Sequence, residues 1–592
     1  MRQIIKYSLT PKLWVPSHYL TSKYLSQLKK RGFLDFISVT VGYRTIYNKE
    51  ALWDDLIERL KKYSLEQILT IVSMINGLLF NQENLSNLTT QQEICNMLFG
   101  KNKSQVLYNF YKYQRENNEQ FPTVLFYEAQ LLNLLKIALL IDLPKTSNIS
   151  EDSLIPLGEA LLMVTDLVFE AIDISKMDVL QRWLQFVVPN TFFSQRDIDL
   201  HSLARCYELY LRDKPHLKTH SSYCPLPLWV EKITGLKPEI LWSVIFALTG
   251  HWFKSSRDFI ERLSKPLDFY AYFTRNFEFT NEEIEKFFNL VGIEVDKLRE
   301  EIKKTYKINN IRPFHILPFA KYPLIKLDKM VYCISIRHLI LKLTTGLHYI
   351  FLNGLPSKER NKYLTYMGVV FEDYVKRLFY RVYPQSANRY FSLDKVKCNI
   401  NGKFCDGIVL YENAVILLEI KATLFPLSAR TGEDMNEIQK KFNEIFIKAA
   451  EQIDNTIKAI ESDKLKISGI KPTMYYPVII TLEDVPINPI IYSKISEDLK
   501  SKGILLHPKI KPLQIIGVRE LEHLEILIEK GFSFKEIIDD KISSNLTKNE
   551  SFSYYFYIRN DKFPAVHNLY LKKIFDEELS KKAITYFKSR EK

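Results

Sequence analysis

Val415-Ile416-Leu417-Leu418-Glu419-Ile420-Lys421-Ala422 is an apolar run broken by two charges, two residues apart. Its β-branched and aliphatic density reads as a strand spanning Ala414 to Ala422. Side chains alternate faces along a strand, so Glu419 and Lys421 point one way. Leu418, Ile420 and Ala422 point the other way, into a core. Burying a charge is costly unless it is paired or bound to a metal, so an ordinary core strand would not place Glu-x-Lys here. The preceding segment, Phe404-Cys405-Asp406-Gly407-Ile408-Val409-Leu410, repeats the anomaly with Asp406. It belongs to a predicted strand from Lys403 to Tyr411, joined to the next by the short turn Glu412-Asn413. Two adjacent strands thus each set a carboxylate among apolar residues. Oxygen ligands of that kind suit Mg²⁺ or Mn²⁺.

The flanking segments share this character. Met367 to Tyr383 reads as a helix ended by Pro384, with Glu372 on the same face as Gly368, Val375 and Phe379. Glu433 to Ser462 reads as one long helix. Its apolar positions Met435, Ile438, Phe442, Ile445, Ala449, Ile453, Ile457 and Ile460 keep helical spacing, with Gln452 at the edge of that face. Met474 to Leu482 reads as a strand. A helix (Tyr492 to Ser501), a strand (Leu513 to Val518) and a helix (Glu520 to Lys530) come next. The chain ends in an aromatic stretch from Ser551 and a basic helix bearing Lys572, Lys573, Lys581 and Lys582.

Glu372, then Asp406, then Glu419-Ile420-Lys421, then Gln452, in the order helix, hairpin, helix, strand, resembles the PD-(D/E)xK nuclease superfamily over about residues 362–482. The resemblance implies a restriction-endonuclease-like mixed-sheet α/β core. It implies that Asp406, Glu419 and the Ile420 carbonyl hold a divalent metal, with Glu372 completing a second site or holding a metal-bound water. Lys421 would orient or activate the attacking water, and Gln452 would position phosphate or the water network. DNA is the implied substrate, with RNA also open, in restriction, phage defence or a mobile element. Two departures stand out. Cys405 occupies the position of the family's Pro, and Thr456 stands where exonuclease-like branches carry Tyr. Other readings remain open: Glu419 and Lys421 as an ion pair on an edge strand, Glu372 as a satisfied buried carboxylate, Gln452 as a surface glutamine. The rival function is a non-catalytic nucleic-acid-binding or assembly module.

The 592 residues allow two to four domains. Residues 1–345 are expected to be mainly helical, with their own core and a regulatory, substrate- or partner-binding role. Residues 346–483 would be the nuclease core, and 484–592 an α/β extension with a basic helical tail. Ser64-Leu65-Glu66-Gln67 and Thr280-Asn281-Glu282-Glu283 are capping boxes, and Gly292 offers a stop to the second helix. Gly158 to Ile172 is a further helix. The formal charge of +13 favours a polyanionic partner. No GxxxxGK[ST] loop occurs, so nucleotide hydrolysis by that route is excluded and a separately encoded ATPase partner is conceivable. Six cysteines without a CxxC pair, and no signal-peptide run after Met1, lead to the expectation of a cytoplasmic, non-membrane protein. His201, Cys206, His216, His220 and Cys224 lie close in sequence, but Pro215, Pro225 and Pro227 interrupt any helical register, and loop and core roles are preferred to zinc. Arg389, Arg430, Lys440, Lys441 and Lys448 flank the proposed site and are candidate phosphate contacts.

Overall fold

The computed structural model describes residues 13–17, 37–80, 88–116, 123–145, 154–170, 189, 199–252, 267–277, 279–393, 403–467, 472–485, 487–564 and 567–581. The described chain is mainly helical and carries three sheets. Strands β1 (Leu13–Pro16), β2 (Ile37–Thr40) and β3 (Thr123–Val124) form a small parallel sheet. Strands β4 (Leu267–Asp268), β5 (Gly292–Glu294), β6 (Leu324–Leu327) and β7 (Met330–Cys333) form a second, in the order β4-β7-β6-β5. Between and around them pack the apolar helices Leu65–Phe80, Glu128–Leu140 and Ile155–Glu170. Both capping boxes form. The Ser64 amide donates to Gln67 Oε1 at 2.9 Å, and the Thr280 amide donates to Glu283 Oε2 at 2.9 Å. Each thereby satisfies an amide that the first helical turn leaves without an intrahelical acceptor. The second helix, Asn281–Val291, stops at Gly292.

The third sheet is the largest and is mixed, in the order β12-β11-β10-β9-β8. Its strands are β8 (Tyr390–Ser392), β9 (Gly407–Leu410), β10 (Ala414–Lys421), β11 (Met474–Thr481) and β12 (Gln514–Gly517). β10 pairs antiparallel with β9 and parallel with β11. Three helices frame it: α1 (Ser357–Val382), α2 (Lys448–Glu461) and α3 (Val518–Glu529). α1 begins ten residues before the sequence pattern places it. The predicted 433–462 helix is interrupted: Met435–Phe442 runs through a single wide π-turn, Asn443–Ile447, into α2. The extra residue of such a turn rotates the next helical segment, yet Ile438, Phe442, Ile445, Ala449, Ile453, Ile457 and Ile460 all remain buried on one side.

Strand alternation sorts the sheet into two faces. Ala414, Ile416, Leu418 and Ile420 face one cluster, together with Tyr476, Val478, Ile480 and Ile516. Val415 and Leu417 face the other, together with Tyr475, Ile479 and Ile515, and against α2. The first cluster is continuous with the buried side chains of the N-terminal helices, α1, α3 and the C-terminal helices. The buried side chains of the region before Thr345 are thus continuous with those of α1 and the sheet. Its apolar faces are completed by α1 and the sheet. The sheet likewise runs past residue 483, because β12 pairs with β11. Polar links cross the same boundaries. Arg205 Nη1 meets Glu522 Oε2 at 2.5 Å, both side chains almost fully buried, and Arg377 Nη1 meets Glu208 Oε1 at 2.8 Å.

Among the described residues, no single helix is long and apolar enough to cross a membrane. Trp53–Leu60 and Leu65–Phe80 reach that length and composition only as a pair bent by 102°.

A shared core has a measurable consequence. Residues 346–592, produced without the preceding region, are expected to bind a hydrophobic dye and to lack a cooperative unfolding transition. Sharp unfolding of that fragment, with intact near-ultraviolet dichroism, would show that the sheet closes its own core after all.

Candidate functional site

The site begins at a turn. Tyr411 and Ala414 exchange backbone hydrogen bonds around Glu412-Asn413, the Tyr411 amide donating to the Ala414 carbonyl at 2.9 Å. Register is then fixed by counting outward. Val415 opposes Leu410 and Leu418 opposes Gly407, where the ladder ends. The Asp406 amide donates to the carbonyl of Leu418, the residue that Gly407 already opposes, at 2.9 Å, so the regular register stops here in a bulge-like step. Asp406 and Glu419 both lie at the end of the hairpin away from its turn, close enough for the Glu419 charge to act on Asp406.

Glu419 is 1% exposed. Its Oε1 accepts from Lys421 Nζ at 2.5 Å, and its Oε2 is buried with no hydrogen-bond partner among the described residues. Lys421 Nζ also donates to Gln452 Oε1 at 2.9 Å, and Gln452 Nε2 donates to the Phe404 carbonyl at 3.3 Å. Gln452 thus ties α2 both to the lysine and to the segment just before β9 that carries Asp406. Asp406 Oδ2 accepts from the Ile420 amide at 2.6 Å. Glu372 lies at the margin of the buried face of α1 rather than within it, with its side chain about one-third exposed. Its carboxyl reaches the Asp406 carboxyl and approaches Lys376 Nζ at 3.8 Å. All five proposed side chains, Glu372, Asp406, Glu419, Lys421 and Gln452, are therefore brought together.

Electrostatics records the cost of this arrangement. Burial and then the Glu419 charge push Asp406 up to about 6, against the Ile420 amide, Glu372 and Lys421, which pull it down. Burial pushes Glu419 up to about 7 in spite of Lys421, and Glu372 adds to the rise. Two carboxyls held above their ordinary range and a bare buried carboxylate oxygen form a donor set that a hard divalent cation would satisfy. The set is not a finished cage. Among the described residues, no three His, Cys, Asp or Glu side chains stand ready to hold a metal ion as they are placed, and Glu419 Oε1 is engaged by Lys421.

In the sequence Thr456 stands out only as a departure from the resemblance, and its positioning role escapes that reading. Thr456, one turn after Gln452, accepts from the Cys405 amide at 2.9 Å and donates to the Gln452 carbonyl at 2.8 Å. Its hydroxyl anchors the backbone next to Asp406. The only signal in the sequence is its i+4 spacing from Gln452. Cys405 itself is buried, and its Sγ donates to the Gly407 carbonyl at 3.5 Å.

The flanking cations separate. Arg389 lies over Tyr411, 4.9 Å from the ring centre, at the turn end of the hairpin and remote from the carboxylates. Arg430 is an interior residue paired with Glu483 at 2.6 Å, not a surface contact. Lys440 pairs with Glu437 and Lys441 with Glu444, while Lys448 is exposed one turn before Gln452. In the histidine and cysteine group, His216 bonds Asp373 at 3.1 Å, His220 bonds Ser222 at 2.8 Å, and Cys224 Sγ donates to the Ser222 carbonyl at 3.3 Å. His201 and Cys206 are buried in the helix Leu200–Cys206.

The raised carboxyls set a pH dependence. Their ordinary values lie near 4, so between about pH 4 and pH 7 the folded protein holds more protons than the unfolded chain. Stability is then greatest below this window and falls as pH rises through it. In metal-free buffer, Glu419→Gln is expected to be more stable than wild type at pH 8 by on the order of 2 kcal/mol, and the gap should close toward pH 4. Equal urea midpoints for the two proteins at pH 8 would contradict the assignment.

No protein-family model, curated protein or solved structure matches the chain.

Proposed function

We propose that the chain is a metal-dependent nuclease with a restriction-endonuclease-like core, hydrolysing nucleic-acid phosphodiesters with DNA favoured. The observation that supports this most is the meeting of Asp406 and Glu419 at one end of the hairpin, with Lys421 bonded to both Glu419 and Gln452. Asp406, Glu419 and the Ile420 carbonyl would hold Mg²⁺ or Mn²⁺, with Glu372 beside them. A bound cation polarises phosphate and lowers the pKa of a coordinated water.

The chain's own groups supply the rest. An ammonium has three donors. Lys421 commits two of them, to Glu419 and Gln452, which leaves one for a water or phosphate oxygen. Its attachment to Gln452 fixes the lysine against α2, so that the donor is aimed rather than mobile. Thr456 holds the Cys405 amide and thereby limits how far Asp406 can move. The net charge of +13 favours association with a polyanion before any chemistry occurs. Restriction of foreign DNA or phage defence is the biological setting we favour.

Asp406→Ala and Glu419→Ala are expected to abolish cleavage of plasmid and linear DNA in Mg²⁺ or Mn²⁺ while leaving the fold intact. Lys421→Ala should lower the chemical rate by about 10²–10⁴, the range for a positioned proton-transfer group, yet keep metal binding measurable by calorimetry. All three should still bind DNA, because phosphate contacts elsewhere supply most of the affinity. Wild-type cleavage undiminished in excess chelator, or full activity of Asp406→Ala, would eliminate the proposal. DNA binding with no cleavage under any metal would favour the non-catalytic module instead.

A further inference from the structure

A cavity of about 530 Å³ lies away from the carboxylates, where the helices Leu317–Lys321, Ile336–Leu341 and Thr345–Gly354 meet the short helix Leu427–Arg430. That volume falls within the range of small-molecule sites. Lys321, Arg337, Lys342 and Arg430 line it, and none of its lining residues is Asp or Glu. It opens to solvent beside Asn289 and Asn353, both exposed.

The carboxylates near this cavity stand behind its cations. Glu301 lies 3.8 Å from Lys321, Glu128 lies 3.8 Å from Arg337, and Glu483 lies 2.6 Å from Arg430. Lys342 is different. Its Nζ donates to the Lys321 backbone carbonyl at 2.6 Å, and the charge that acts on it is the like charge of Lys321. Burial and Lys321 together push Lys342 down to about 8, and among the described residues no carboxylate pairs with it. The helix Thr345–Gly354 starts at the same wall, with Thr345 and Gly346 lining the space. No acidic side chain occupies its first turn, and its N-cap residue, Thr344, makes no side-chain cap. Such an end favours an anion. Tyr322, Tyr349 and Phe314 add aromatic surface beside the cations.

We infer that this cavity binds a phosphorylated small molecule of nucleotide size, with the phosphates on Lys342 and the Thr345–Gly354 helix start and the organic part against the aromatic wall. The site is independent of the hydrolytic reading. It adjoins the segment that leaves β10, since Tyr349 donates its hydroxyl to the Phe425 carbonyl at 2.5 Å and Arg430 lies nine residues after Lys421. A ligand there contacts the element next to the carboxylate hairpin.

The test is calorimetry on the full chain with excess chelator, so that no metal-mediated binding at the carboxylates contributes. ATP, AMP, inorganic phosphate and a short oligothymidylate serve as probes. ATP or AMP is expected to bind, and Lys342→Gln is expected to weaken that binding by about tenfold or more, the range of one lost charge-assisted contact. Asn353→Glu, which sets a carboxylate at the exposed rim and leaves the interior untouched, should weaken it as well. Asp406→Ala should leave it unchanged. Absence of binding by both nucleotides would overturn the inference. So would inorganic phosphate binding as tightly as ATP, or the oligonucleotide binding more tightly than ATP and losing affinity in the same variants.

Discussion

The two-residue turn at Glu412-Asn413 constrains the whole carboxylate centre. Backbone bonds between Tyr411 and Ala414 close it, and the antiparallel register runs from there to Gly407 opposite Leu418, which sets Asp406 beside the Glu419 end of β10. One residue more or fewer in the turn would shift the pairing and send Asp406 to the opposite face of the sheet. Because the register holds, two acids lie close together where helices cover the sheet on both sides. Lost solvation, joined by the Glu419 charge at Asp406 and the Glu372 charge at Glu419, then pushes both carboxyls above their ordinary range. Lys421 and the Ile420 amide offset part of that cost, and Glu419 Oε2 remains without a partner among the described residues.

Such an arrangement persists only if its surroundings are stiff. α2 supplies that stiffness through two adjacent turns. Gln452 bonds Lys421 and the Phe404 carbonyl, and Thr456 bonds the Cys405 amide. The helix therefore clamps both strands of the hairpin at the level of the acids. The π-turn at Asn443–Ile447, immediately before α2, adjusts the rotation at which α2 arrives over the sheet.

The helical region is part of the same body. Its apolar residues merge with one face of the sheet, and its polar links are among the most buried in the molecule. Arg205 pairs with Glu522 of α3, and Tyr374 of α1 donates to the same carboxylate at 2.6 Å. Tyr306 donates to Glu433 Oε1 at 2.7 Å, which joins the helical region to the segment leading into Met435–Phe442. Buried charges of this sort add little net stability over apolar packing, but removing one partner is costly, so they fix how the parts meet. That fixed junction also encloses the basic cavity, whose walls come from both sides.

The sequence by itself determined the hairpin, its turn and the convergence of Asp406, Glu419 and Lys421. These features are local: strand period, turn length and a charge among apolar residues are all short-range signals. It also located the capping boxes at Ser64 and Thr280, the strand at Met474 and the shared apolar stripe of the 433–462 segment. Only the tertiary structure decided that residues before Thr345 share their core with the sheet, that β12 extends it, and that Thr456 anchors the Cys405 backbone. It alone placed Arg430 in an interior pair with Glu483 and gathered Lys321, Arg337 and Lys342 around one cavity. The reason is physical. An apolar stripe specifies that a helix must be covered but not by what, and a lone cation in the sequence carries no record of which distant chain segments will surround it.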